Sequence, residues 1–279
     1  MGDGGRGPGS WLAAPAWLWM VLFFVFPLLI VFAYSFLSKG DYGGVAAPVT
    51  AASYVRFLDP LYLRILLRSM VMAGLTAMVC LAMGYPLAYY IAVRGGRRKN
   101  TLLFLVVLPF WTSFLVRTYA WIFLLRDTGL INTILLRLGW IEVPLPLLYN
   151  DGAVLVGLVY GLLPLMVLPL YASIERLDRA LLEAAADLGA APATRWARVT
   201  VPLTRPGIYA GAVLVFVSAL GSYLTPDLLG GGKSILIGNV IQNQFTTARD
   251  WPFGAAISLL LMAVVVAGLQ VSRRRGELV

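Results

Sequence analysis

The sequence has 279 residues, of which 60% are hydrophobic and 13% are charged, and its formal net charge is +9. Soluble domains carry about 45–50% apolar and about 25% charged residues, and a water-soluble fold of this length could not bury so much apolar surface. The composition therefore indicates an integral membrane protein. The absence of histidine and the presence of one cysteine, Cys80, exclude a histidine-based catalytic triad, an intrachain disulfide and a zinc site built from cysteine and histidine.

Six stretches of the chain are long and apolar enough to cross the hydrocarbon core of a bilayer, which takes about 20 residues. In chain order they are Leu12–Leu37, Leu66–Val93, Thr101–Leu125, Ala153–Ile174, Pro206–Leu229 and Trp251–Val271. The sequence thus predicts an all-α polytopic membrane protein, with a tail of residues 1–11, a six-span domain over residues 12–271 and a tail of residues 272–279. Cys80 lies in the second stretch and is interpreted as a small buried hydrophobic side chain.

Basic residues are distributed unevenly between the two sides of this predicted topology. An even number of spans puts both termini on one side, where the segments carry thirteen Lys and Arg residues, against eight on the other side. Basic residues concentrate in cytoplasmic segments, so both termini are predicted to lie in the cytoplasm and the protein in the inner (cytoplasmic) membrane. We interpret the net charge as this topology signal and expect no nucleic-acid partner.

The connection over residues 175–205 is long for a loop between two membrane spans. Asp178 is a good N-cap, the residues after it are strong helix formers, and Gly189 suits the left-handed position after a helix end. We expect a short cytoplasmic helix with Glu183 and Asp187, four residues apart, on one face. From these residues alone two interpretations stay open: a helix that docks into another protein, or an amphipathic helix that rests on the membrane.

The same loop carries a spaced motif. It reads Glu183-Ala184-Ala185, three residues, Gly189, nine residues, Val199, one residue and then Val201-Pro202. This pattern resembles the EAA motif of the permease subunits of binding-protein-dependent ABC importers, in which the two valine positions are Ile and Leu. The resemblance implies the residues that dock the ATP-binding subunit: Glu183, Ala184, Ala185, Asp187, Leu188, Gly189, Val199, Val201 and Pro202.

The resemblance also implies the rest of the assembly. The expected fold is the transmembrane domain of a type I ABC importer, and the expected function is transport by alternating access. Its partners would be two ATP-binding subunits, a homologous second permease subunit, an extracytoplasmic substrate-binding protein and the surrounding membrane lipid. The chain would not be an enzyme: it would have no catalytic residues, bind no metal and hold no cofactor, because ATP and Mg lie on the ATP-binding subunit.

Further segments narrow the resemblance to the permeases of spermidine/putrescine importers. These segments are Pro109-Phe110-Trp111-Thr112, residues 157–178, Gly238-Asn239-Val240-Ile241 and Arg249-Asp250-Trp251-Pro252-Phe253-Gly254. Related branches that handle opines, phosphonates, iron or other small solutes share parts of them, so another small solute stays open as an alternative. An ion-driven secondary carrier is the remaining alternative, and the absence of Asp or Glu from the centre of every predicted span argues against it.

A glycine-rich stretch, Asp227-Leu-Leu-Gly-Gly-Gly232-Lys233-Ser234, ends like a phosphate-binding loop of the pattern G-x-x-x-x-G-K-[ST]. Asp227 occupies the place of the first glycine, and its carboxylate would repel phosphate. We therefore expect no nucleotide site here, and an ATPase would have to be a separate subunit.

Polar side chains near the outer end of the fifth stretch are candidates for a polyamine pathway. A polycation favours hydroxyl groups, aromatic faces and a carboxylate at the entrance. The candidates are Tyr223, Asp227, Thr112, Ser113 and Ser222. The alternative for Asp227 is that it caps a helix or faces water.

Arg117 does not fit such a pathway, because a cation repels cationic cargo. We expect its side chain to pair with a partner or to reach the membrane interface.

Overall fold

The computed structural model describes residues 14–274. The predicted N-terminal tail, residues 1–11, lies outside the described residues, as do residues 275–279 of the predicted C-terminal tail. The described part is mostly helical. Its helices are α1 Ala14–Ser35, α2 Ala52–Phe57, α3 Pro60–Arg94, α4 Lys99–Val107, α5 Phe114–Leu125, α6 Leu130–Arg137, α7 Asp151–Glu175, α8 Arg179–Asp187, α9 Pro192–Leu203, α10 Arg205–Leu220, α11 Leu224–Gly230, α12 Ile237–Thr246 and α13 Trp251–Arg274.

Length and hydropathy identify the helices that can cross a membrane. Among the described residues these are Ala14–Ser35, Pro60–Arg94, Phe114–Arg137, Asp151–Glu175 and Trp251–Gln270. The pair α9 and α10, bent by 67° at its junction, can form a sixth span. The all-α polytopic fold is thus confirmed, with five candidate spans among the described residues and a sixth if the bent pair counts as one, and the first, second, fourth and sixth predicted stretches each correspond to one continuous helix.

The third and fifth predicted stretches are each divided between two helices. The stretch Thr101–Leu125 is divided into α4, a 3₁₀ turn at Leu108–Trp111 and α5, with Thr112 and Ser113 extended between them. The stretch Pro206–Leu229 is divided into α10 and α11, which are separated by residues 221–223. Mean hydropathy over a window reports how apolar a segment is, but carries no information on where its backbone turns.

The break between α10 and α11 contacts the segment that contains Gly238 and Asn239. The Nδ2 of Asn239 donates a hydrogen bond of 2.8 Å to the Tyr223 carbonyl, which also accepts the Asp227 N–H at 3.0 Å in the first turn of α11. Gly238 allows this approach, because a Cβ at that position would lie 2.5 Å from the Ser222 carbonyl oxygen. A broken helix at membrane depth requires such internal partners, since lipid offers none.

Two compact units make up the described chain. The first contains residues 14–60 and 241–264. Within it a two-stranded antiparallel hairpin, β1 Ser38–Lys39 with β2 Val45–Ala46, follows α1. Arg56 of α2 forms an ion pair of 2.8 Å with Asp250, and its guanidinium lies 4.1 Å from the centre of the Phe253 ring. The apolar side chains of α1 are exposed, as expected of a helix that faces lipid.

The second unit contains residues 61–240 and the chain from residue 265, and α7 lies at its centre. Helices α10 and α11 pack against α7. Where α10 packs against α7, Gly207 and Gly211, four residues apart, let the two backbones approach closely. A Cβ on Gly207 would lie 2.5 Å from the Ser173 Cβ and 2.8 Å from the Pro169 carbonyl oxygen. Small residues at this spacing are a common basis of helix packing in membranes.

The core of this unit forms where α3, α7 and α10 meet. Cys80, Met166, Leu170 and Val215 are fully buried there. The Cys80 thiol points at the Val159 carbonyl oxygen, 3.7 Å away. The prediction of a buried hydrophobic cysteine is confirmed.

The glycine-rich loop after α11 is held by side chains from two other helices. Arg68 of α3 donates to the Lys233 carbonyl at 3.2 Å and forms an ion pair of 2.6 Å with Asp151 of α7. The same carboxylate accepts a hydrogen bond of 2.5 Å from the Ser234 hydroxyl. Ser234, the last residue of the nucleotide-loop pattern, therefore binds an acidic side chain of its own chain.

The glycine contact between α7 and α10 gives a stability prediction. Gly207→Ala forces the two helices apart and should destabilise the protein by about 1–3 kcal/mol, as overpacking does. Thermal unfolding in detergent, followed by tryptophan fluorescence, measures the effect. The control is Gly74→Ala in α3, where a Cβ meets nothing within 4 Å and alanine favours the helix by about 0.5–1 kcal/mol. Equal unfolding temperatures for the two variants would contradict the packing.

Candidate functional site

Helix α8 has well-defined ends. The Asp178 carboxylate accepts a hydrogen bond of 2.9 Å from the Ala180 N–H and so caps the first turn. At the other end Gly189 has a φ of +78°, the Gly189 N–H donates to the Ala186 carbonyl at 2.8 Å, and the Ala190 N–H donates to the Ala185 carbonyl at 3.1 Å. This pair of bonds is a Schellman motif, which glycine favours because it needs a left-handed residue. Both predicted ends of the helix are confirmed.

Most side chains of α8 are exposed. Glu183 and Asp187 are exposed, as are Leu181 at 48% and Leu188 at 88% of its surface, whereas Ala185 is half-buried. The exposed leucines lie on one face of α8 and Glu183 on the opposite face, so the helix as a whole presents a mixed apolar and acidic surface. Such a surface on a rigid, capped helix is suited to contact with another protein.

The later part of the spaced motif has a different setting. Val199, Val201 and Pro202 lie on α9 and are half-buried. Val201 packs against the core cluster of the second unit. The structure therefore divides the nine candidate residues into an exposed group on and just after α8 and a packed group on α9.

A residue that sequence reasoning missed ties α9 to α3. The Tyr85 hydroxyl lies 3.0 Å from the Thr204 Oγ1, at the junction of α9 and α10. Thr204 uses its own hydrogen on the Thr200 carbonyl at 2.9 Å, so Tyr85 is the donor. The Tyr85 ring also meets the Trp196 ring edge-on, with centroids 5.6 Å apart. The hydroxyl of a tyrosine in an apolar helix needs a hydrogen-bond partner. The presence of Tyr85 in α3 therefore indicates that such a partner exists, although not which residue it is.

The five candidate pathway residues lie at or near the two helix breaks. Thr112 and Ser113 precede α5, Ser222 and Tyr223 precede α11, and Asp227 lies in the first turn of α11. Helices α5 and α11 pack against each other, so the structure brings the two segments that follow the breaks together.

These candidates are largely exposed. Tyr223 is 39% exposed, and the carboxylate of Asp227 is exposed and makes no hydrogen bond or ion pair with the described residues. Asp227 therefore does not act as a helix cap. Thr112 donates its hydroxyl hydrogen to the Pro109 carbonyl at 2.8 Å.

Arg117 has an unusual environment in α5. Its guanidinium carbon lies 5.7 Å from the ring centres of both Phe110 and Phe114. The Nε and Nη1 atoms are buried and have no hydrogen-bond partner among the described residues. Among the described residues Arg117 has no ion pair, and its guanidinium has two cation–π contacts instead; the alternative expectation, that the side chain reaches the membrane interface, stays a prediction.

Comparisons with known proteins agree with this geometry. Residues 84–273 match the family described as "Binding-protein-dependent transport system inner membrane component". The spermidine/putrescine transport system permease protein PotB of Escherichia coli (strain K12) is 46% identical over 260 residues, which are 93% of this chain and 94% of that protein. The molybdenum transport system permease protein ModB of Mycobacterium bovis is 31% identical over 209 residues, which are 74% of this chain and 76% of that protein.

A solved structure shows the same fold. A bacterial alginate ABC transporter, in complex with an alginate pentasaccharide-bound periplasmic protein, matches with a TM-score of 0.71 and 19% sequence identity, over 95% of this chain and 93% of that chain. The predicted transmembrane fold of a type I ABC importer is thereby confirmed. On the match over residues 84–273, the chain belongs to the family of inner membrane components of binding-protein-dependent transport systems.

Proposed function

We propose that the chain is one membrane subunit of an ATP-driven importer that carries polyamines into the cytoplasm. The coupling role is supported by α8, a short helix that is capped at both ends and exposes Glu183, Asp187 and Leu188. A membrane subunit needs such a rigid, exposed element to be driven by a separate motor subunit.

The substrate class rests on two supports. The likeness to a spermidine/putrescine permease covers nearly the whole of both chains and is much greater than the likeness to a molybdenum permease. The exposed Asp227 carboxylate and the nearby Tyr223 ring also suit an organic polycation, through charge attraction and cation–π contact. The alternative is a permease of the same family for another small solute.

The proposed assembly has two membrane subunits, two ATP-binding subunits and an external receptor that delivers the substrate. ATP and Mg belong to the ATP-binding subunits, and this chain contributes no catalytic residue.

The excess of basic residues on the side of α8 supports a cytoplasmic position for α8 and for both termini. The nucleotide can shift the membrane subunits between their two conformational states only to the extent that it binds more tightly to the complex in one state than in the other.

Movement of α8 is transmitted to the membrane helices through α9. Helix α9 meets α10 at a bend of 67°, and Thr204 at this bend receives the hydrogen bond of Tyr85. A displaced coupling loop therefore acts on α10 directly and on α3 through the buried Tyr85–Thr204 contact. We propose that Tyr85 is a positioning residue of the coupling path.

The docking role of α8 predicts the effect of two substitutions. Glu183→Lys reverses a charge on the exposed face, and Gly189→Asp adds a side chain just past its end. Each should weaken binding of the ATP-binding subunit by at least about 2 kcal/mol, roughly thirtyfold, and abolish uptake at normal membrane abundance. Co-purification of the ATP-binding subunit and uptake of radiolabelled spermidine measure the two effects.

Matched controls exist for both substitutions. Glu142→Lys reverses the charge of an exposed glutamate between α6 and α7. Gly139 ends α6 with a φ of +69° and the same two hydrogen bonds, and a Cβ there also meets nothing within 4 Å, so Gly139→Asp matches the backbone strain. Both controls should keep uptake and assembly. Wild-type uptake by the Glu183 or Gly189 variant would refute docking through α8.

The Tyr85 contact predicts partial uncoupling. Tyr85→Phe removes one buried hydrogen bond worth about 1 kcal/mol, so the amount of substrate moved per ATP hydrolysed should fall by roughly fivefold. Uptake and ATPase activity of the purified complex in proteoliposomes give this ratio. Tyr90→Phe, an exposed tyrosine of the same helix, is the control. A parallel loss of both activities would indicate a structural role instead.

The pathway hypothesis predicts a charge effect at Asp227. Asp227→Asn should raise the KM for polyamine uptake by about tenfold, since contacts of charged groups contribute about 1.5–3 kcal/mol, and it should affect the triamine spermidine more than the diamine putrescine. Asp127→Asn, an exposed aspartate between α5 and α6, should leave the KM unchanged. If both variants have the wild-type KM, Asp227 only faces water.

A further inference from the structure

A cavity of about 570 Å³ lies beside α8, on the face opposite its exposed leucines. The ends of α3 and α7, the start of α4 and residues of α8 and α9 surround it. One wall is apolar and continues the membrane-spanning helices, with Ala92, Val93 and Ile174 among its residues. The other wall is charged and lies beyond the ends of those helices. The cavity is thus amphipathic along its length.

The charges that line the cavity are unbalanced. The cations are Arg94, Lys99 and Arg195, and the carboxylates are Glu175 and Glu183. Lys99 and Glu175 form an ion pair with each other. Arg94 and Arg195 then outnumber Glu183, and the exposed Arg97 and Arg98 follow Arg94 directly in the chain, so the region attracts an anion.

The guanidinium of Arg195 has a buried donor in this wall. The Nε of Arg195 has no hydrogen-bond partner among the described residues. Arg195 itself lines the cavity. Arginine binds phosphate groups well, because its planar guanidinium presents several donors in a fixed geometry.

We propose that this cavity binds the phosphate headgroup of an anionic phospholipid, with the start of an acyl chain along the apolar wall. A free phosphate ion matches the charge but not the apolar wall or the volume. Basic pockets between spans on the cytoplasmic side are suited to anionic headgroups. The inference rests on the proposed function for the cytoplasmic position of α8, since that side of the membrane supplies such lipids.

The position of the site gives the lipid a regulatory role. Leu182, Glu183 and Ala186 of α8 form part of the cavity, so a bound headgroup bridges the end of α3 and the proposed coupling helix. Helix α8 is then held in place by a membrane component as well as by its own chain. Coupling of ATP hydrolysis to transport therefore depends on anionic lipid.

Lipid binding to the full-length chain tests the inference. The chain is purified with the subunits that accompany it, placed in nanodiscs of phosphatidylcholine with or without phosphatidylglycerol, and analysed by native mass spectrometry for retained lipid. Wild type should retain phosphatidylglycerol in preference to phosphatidylcholine. Arg195→Gln should lower this retention by about fivefold, as should Arg94→Gln, an exposed position whose change spares the fold. Arg198→Gln, an exposed arginine of α9 outside the cavity, should not.

Several results would overturn the inference. Equal retention in the Arg195, Arg94 and Arg198 variants would show that the cavity is not the lipid site. Displacement of the lipid by millimolar inorganic phosphate would assign the site to the free ion. Loss of the ATP-binding subunit from the Arg195 variant, with lipid retention unchanged, would assign Arg195 to a protein contact. The lipid-binding measurement uses no transported substrate. Its result therefore does not depend on whether the protein carries polyamines.

Discussion

The requirement that every backbone polar group at membrane depth finds a partner inside the protein governs this fold. At the break between α10 and α11 the Tyr223 carbonyl accepts hydrogen bonds both from the Asn239 side chain and from the Asp227 N–H. Gly238 lets that segment approach the break closely. The same requirement favours the close contacts of α10 and α11 with α7, because helices that pack at glycine leave no space for unsatisfied groups between them. The candidate pathway residues lie at or near the two helix breaks.

Local features of the fold could be predicted from the sequence, and long-range ones could not. The ends of α8 follow from Asp178 and Gly189, whose preferences depend on a few neighbouring residues. The breaks in the third and fifth spans depend on distant segments. Tyr85 and Thr204 are separated by 119 positions, so no local pattern indicates their contact. The surroundings of Arg117 could not be predicted for a similar reason: its charge alone does not show that two aromatic rings lie beside the guanidinium.

The proposed docking motif is better understood as two parts with different tasks than as one surface. The part on α8 is exposed and carries the acidic and leucine side chains, whereas the part on α9 is packed against the core. Between them the chain turns at Gly189, and beyond them it bends at Thr204 into α10. In the proposed mechanism, motion received at the surface passes to these buried contacts, and the amphipathic cavity lies beside the first part of this route.

Cys80 has a practical consequence for measurements on this protein. It is the one cysteine of the sequence, and its sulfur is enclosed by α3, α7 and α10. Water-soluble thiol reagents reach buried sulfur poorly, so the natural chain serves directly as the unlabelled background. A cysteine introduced at Leu188 would then be the single reactive position for a spin label or fluorophore. The motion of α8 during a transport cycle can be followed by spectroscopy without first removing a native thiol.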